Sequence, residues 1–179
     1  MPVRLTPYNP EWKNWFKELR TPISTAVGDL ATDVIHVGST SVEGLYAKPV
    51  IDIDIVVEYW DHFEEIVERL KVAGYNHVGD LGIREREAFK PSQKPVHSHN
   101  LYVTRRGSIP YRNHVLLRKH LTENPNDLRR YYDLKLRLSI DSVDVDGYTR
   151  SKTGLILEFL GREGMSAEEL EEIRLENLS

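Results

Sequence analysis

The sequence predicts a single mixed α/β (α+β) domain. Three observations carry this: helical and strand patterns alternate from residue 9 to about 104; helical patterns alone follow from about 110 to 163; no linker-like stretch separates the two parts. The length, 179 residues, suits one core. A short, highly charged helix over about 166–177 is expected at the periphery.

Trp12, Trp15, Phe16 and Leu19 recur at helical spacing after Asn9-Pro10, a cap followed by a proline suited to a first turn. Thr21-Pro22 is expected to break or kink this helix before a second segment to about Leu30, since proline has no amide proton to donate. Asp33 to Val37 and Val50 to Val57 read as strands. Asp61 to Ala73 reads as a helix with Phe63, Ile66, Val67 and Leu70 on one face, closed by Gly74. Strands are expected around Tyr75 to Val78, Glu87 to Lys90 and His99 to Val103, giving a twisted sheet of about four or five strands. Helices follow over Tyr111 to Leu121, Asn126 to Ile140 and Gly147 to Leu160, and Ser166-Ala-Glu-Glu169 forms a capping box for the last one.

Composition narrows the function. The net charge of −4 gives no global field toward nucleic acid or anionic lipid, and the chain has no cysteine for a disulfide, a thiolate nucleophile or a sulfur-held metal. The opening residues lack a signal-peptide pattern and no run approaches the ~18 apolar residues of a membrane span, so a cytoplasmic protein without membrane partners is expected. The oligomeric state is left open. Arg84, Arg86, Arg105 and Arg106 read as scattered surface arginines, because no aromatic platform accompanies them. Asp144-Val-Asp146-Gly147 has the start of a calcium loop, but Thr153 stands where the bidentate Glu should be, so Asp146 reads as a helix cap.

The stretch from His36 to Val57 carries the chemistry. Strand alternation puts Ile51, Ile53, Ile55 and Val57 on one face and Asp52 with Asp54 on the other. Neighbouring carboxylates repel, and a hard divalent cation such as Mg²⁺ would relieve that while leaving positions for substrate phosphates. A solvated polar face is the plainer alternative. Upstream, Gly38 lets a ligand approach the backbone, and Ser39, Thr40 and Ser41 add hydroxyls where a short helix can start and bind an anion.

An apolar residue, Gly-Ser, twelve residues and then Asp-apolar-Asp-apolar resembles the nucleotidyltransferase-superfamily signature, met here at Val37, Gly38, Ser39, Asp52, Ile53, Asp54 and Ile55. More closely, Gly38-Ser-Thr-Ser-Val-Glu-Gly-Leu-Tyr-Ala-Lys-Pro-Val-Ile-Asp52 resembles the hallmark of the GrpB-like family. The likeness extends to Tyr8–Trp12, Arg86–Phe89, Leu117–Pro125, Tyr132–Lys135 and Tyr148–Lys152. It implies a minimal nucleotidyltransferase-like fold with its C-terminal helices over a cleft. It also implies that the Gly-Ser turn holds a nucleoside triphosphate, while the acid pair and a third carboxylate from a later strand hold two metals. That later strand, His97-Ser-His-Asn-Leu-Tyr-Val103, has no acid. His99 is the candidate substitute and Glu87 the second choice. An imidazole ligand favours Mn²⁺, Ni²⁺ or Zn²⁺ over Mg²⁺.

The helical half adds cations in apolar stripes. Arg118 falls between Leu121 and Val115; Lys135 falls inside an arc of Leu128, Tyr131, Tyr132 and Leu138; Lys152 falls between Tyr148 and Ile156. Snorkelling explains any one of them. Together with Lys48 they are expected to converge on one anion, either the carboxylates or a phosphate beside them. The sequence thus predicts a metal-dependent nucleotidyl- or phosphoryl-transferase acting on a nucleotide or another phosphorylated small molecule, with Asp52 and Asp54 catalytic. The alternative is a phosphate-binding sensor module without turnover.

Overall fold

A computed structural model describes residues 4–140 and 145–178, without the side chains of 138, 140 and 145–149. Leu138, Asp144, Asp146 and Tyr148, which the sequence reading uses, therefore lie outside the described side chains.

The chain runs α1 (Glu11–Val27), β1 (Asp33–Val37), β2 (Ile51–Val57), α2 (Phe63–Val72), β3 (Tyr75–Gly79), β4 (Arg86–Pro91) and β5 (His99–Arg105). It continues through α3 (Ile109–Glu123), α4 (Pro125–Ile140), α5 (Val145–Arg162) and α6 (Ala167–Glu176). The five strands form one mixed sheet in the order β1-β2-β5-β4-β3. Only the β2/β5 pair is parallel. No described helix is long and apolar enough to cross a membrane.

One face of the sheet carries Ile51, Ile53, Ile55, Leu101, Val103 and Phe89, which pack on Trp12, Leu19, Ile23 and Val27 of α1 and on Ile66 and Leu70 of α2. The same alternation sends Asp52, Asp54, Asn100, Tyr102 and Thr104 to the other face, under the C-terminal helices. Pro22 does not break α1, contrary to expectation. The proline forfeits one hydrogen bond, but Leu19, Ile23 and Val27 on either side of it are buried in a single core, and that packing outweighs the loss. The helix expected at Ser41 is one 3₁₀ turn, Ser39–Ser41, since Val42 is already extended. The other helices and strands begin and end within about two residues of their expected positions.

The C-terminal helices have their own core of Val42, Leu45, Leu121, Tyr131 and Phe159. At its edge His120 is 1% exposed, with Nδ1 2.8 Å from Glu163 and Nε2 2.8 Å from Asp127. Its ring stacks on Phe159, with centroids 4.7 Å apart. The bond pattern joins α3, the first turn of α4 and the residue after α5. Ser166 and Glu169 form the expected capping box, which starts α6. Phe159→Ala removes the ring on which His120 and Tyr131 both rest, and a loss of about 3–5 kcal/mol in urea denaturation is expected.

Candidate functional site

The site is built where the β1–β2 connection meets the helices. Gly38 has φ 73° and ψ −174°, a conformation that L side chains rarely adopt, and a Cβ there would lie 2.2 Å from Asp52 Oδ2. The carboxyl group therefore occupies the space that glycine leaves. Ser41 Oγ donates to the Gly38 carbonyl at 2.6 Å, and Thr40 Oγ1 lies 2.9 Å from His36 Nε2, so the turn is pinned on both sides.

Asp52 lies at the wall of a cavity of about 420 Å³, lined also by Ser39, Thr40, Lys48, Asn100, Lys135 and Lys152. Asn100 Nδ2 donates to Asp52 Oδ1 at 2.8 Å. Burial raises the Asp52 pKa, against the Asn100 hydrogen bond and the charges of His114 and Lys135. Lys135, 3% exposed, donates from Nζ to Ser39 Oγ at 2.8 Å. Burial, followed by repulsion from Lys152, pushes its pKa down to about 7, with Asp52 opposing. Burial and Lys48 bring Lys152 down to about 8. Three ammonium groups thus crowd one half-buried carboxylate.

Asp54 is different. It is 0% exposed, and His114 of α3 holds its Oδ2 through Nδ1 at 2.7 Å, while Oδ1 has no hydrogen-bond partner. Burial alone would lower the imidazole pKa, but the Asp54 charge and hydrogen bond overcome it and the shift is upward. A smaller cavity of about 180 Å³ lies beside His114, lined by Gly38, Ser39, Asp52 and Arg118. Arg118 Nη1 donates to the His36 carbonyl at 2.9 Å.

The expected residues are therefore brought together with three corrections. Gly38, Ser39, Thr40, Lys48, Asp52, Lys135 and Lys152 meet around the two cavities, and Arg118 joins at the smaller one. Ser41 faces away from both and braces the turn. The acid pair shares a face of the sheet, but only Asp52 reaches a cavity, since His114 caps Asp54. His99 does not join the acids. It pairs with Ile51 in the parallel register, so its ring points to the α1 face, where Nε2 lies 2.9 Å from Tyr75 Oη and Nδ1 2.7 Å from the His97 carbonyl. Glu87 points to that face as well and lies 2.6 Å from His77. Among the described residues no three His, Asp or Glu side chains are grouped as a metal site. Asn100 stands beside Asp52 where a third carboxylate was sought.

Sequence reasoning missed Asn100 and His114. Leu101 and Val103 are apolar, so Asn100 had to share the acid face; His114 lies one helical turn before Arg118.

The GrpB protein family model matches residues 2–162. The chain belongs to the GrpB family. It is 31% identical over 163 residues to glutamate-rich protein GrpB of Alkalihalophilus pseudofirmus, covering 88% of this chain and 94% of that one. It is 28% identical over 151 residues to YqkA of Bacillus subtilis, and there the match covers 84% of this chain but 44% of the longer relative. Among solved structures it is similar to the conserved protein GrpB from Enterococcus faecalis, with TM-score 0.76 and 26% identity over 90% of this chain and 100% of that one.

Gly38→Ala is expected to cost on the order of 1–3 kcal/mol, because the added Cβ must displace the Asp52 carboxyl from a backbone that already disfavours it. In a thermal-denaturation double-mutant cycle, Asp52→Ala should recover the part due to the collision and leave the part due to φ.

Proposed function

We propose that this GrpB protein binds a nucleotide or another phosphorylated small molecule, with a phosphate seated between Ser39 and the Lys48, Lys135 and Lys152 side chains. The observation that carries the reading is the desolvated cation cluster. Lys135 and Lys152 have pKa values pushed to about 7 and about 8 within a cavity whose one carboxylate is Asp52. Such crowding costs stability in the free protein, and an anion converts the cost into affinity. A volume of about 420 Å³ falls within the ~300–1,000 Å³ usual for small-ligand sites.

The second reading is metal-dependent nucleotidyl or phosphoryl transfer, with a nucleoside triphosphate as donor. The buried Asp54 Oδ1, which has no hydrogen-bond partner and lies on the same sheet face as Asp52, favours it, although a cation could reach it only if His114 moved aside. Mg²⁺ or Mn²⁺ matches these oxygen donors and would supply charge neutralisation at the phosphates. The case for Ni²⁺ or Zn²⁺ rested on His99, which faces away. Product formation with metal that Asp52→Asn abolishes supports transfer; binding without turnover supports the plain binding module.

Calorimetric titration with pyrophosphate tests the main reading, and Lys135→Met should weaken binding about 10- to 100-fold. Because it removes a buried cation, the same substitution should hold or raise the thermal midpoint at pH 7. The sign with pH follows from lowered lysine pKa values. In the free protein Lys135 and Lys152 lose protons as pH rises through about 7 and about 8, and an anion needs them charged. Affinity for sulfate, whose own charge is constant there, should fall from about pH 6 toward pH 9, with proton uptake on binding.

A further inference from the structure

We infer that a second anion site lies along α1 and takes the phosphate group of a second small molecule. A cavity of about 430 Å³ is lined by Lys13, Lys17 and Arg20 on one face of α1, together with Arg118, His36 and Ser41. Two carboxylates reach these cations: Glu43 lies 3.0 Å from Lys13, and Asp33 lies 3.6 Å from Arg20. Lys17 and Arg118 have no ion-pair partner among the described residues.

Arg118 is the group that sets this cavity apart from an ordinary basic helix face. It is exposed, but its Nη1 donates to the His36 carbonyl at 2.9 Å, which fixes the guanidinium and leaves its other N–H groups for a ligand. His36 adds no charge of its own, because burial and then the Arg118 charge push its pKa to about 4. Its ring stacks on Phe16 with centroids 4.8 Å apart and gives the cavity an apolar floor.

The position of the cavity suggests its use. Arg118 also lines the small cavity that contains Ser39 and Asp52, so one guanidinium lies between the α1 cavity and the phosphate turn. A ligand anchored on Lys17, Arg20 and Arg118 would therefore lie beside the small cavity of the Gly38–Ser39 turn, as the second substrate of a transfer, or the second effector of a sensor, must do. The assignment of this ligand as the second one rests on the lysine cavity holding the first.

Calorimetry with pyrophosphate as probe separates the two sites. The wild-type chain should show two sets of sites. Lys17→Gln with Arg20→Gln, both on the exposed helix face, should weaken one set at least tenfold and leave the other, and Lys135→Met should do the reverse. Charge-preserving Lys17→Arg should retain both sets. A single set, removed by Lys135→Met and unchanged by the α1 pair, overturns the second site and leaves the first. A single set lost only with the α1 pair overturns the lysine-cavity reading and leaves the α1 site. If pyrophosphate does not bind at all, both are overturned.

Discussion

The hydrogen bond from Lys135 to Ser39 sets the charge of the site, because it places a cation of α4 against the turn that leaves β1. An ammonium buried this deeply is tolerated only beside an oxygen acceptor and an opposite charge, and the turn with Asp52 supplies both. The arrangement depends in turn on Gly38, whose missing side chain lets the carboxyl group sit over the backbone. Backbone conformation, carboxylate position and cation placement therefore form one constraint.

That constraint explains why the two acids have separate environments despite being neighbours on β2. Asp54 is neutralised from within the protein by His114, so its charge is satisfied by the fold. Asp52 is held by Asn100, a neutral donor, and faces three lysines across open space. The excess positive charge belongs to the cavity. It costs the free protein stability and is best resolved by something anionic from outside.

The face of β2 and the need for a glycine at 38 were legible because both follow from local rules: a period of two along a strand and the conformational freedom of a residue without Cβ. Lys135 and Lys152 were legible as cations in apolar stripes, and a helical projection identifies such faces well. The projection does not say which element a face meets, and so it could not divide the cations between two cavities, with Arg118 at the smaller. His99 was misplaced because ligand chemistry was allowed to choose the face. The parallel register of β2 and β5 chooses it instead, and sends His99 to the core side with Ile51. Pro22 shows the same limit in the backbone, where burial of Leu19, Ile23 and Val27 overrides a local helix breaker.

The most direct test is to follow the Lys135 ε-ammonium by NMR through a pH titration of the ligand-free protein. A midpoint near 7 is expected, well below the 10.5 of an unperturbed lysine, with an upward move when pyrophosphate is added. A midpoint near 10.5 that pyrophosphate leaves unchanged would contradict it, because the side chain would then be solvated and the cavity would hold no stored demand for an anion.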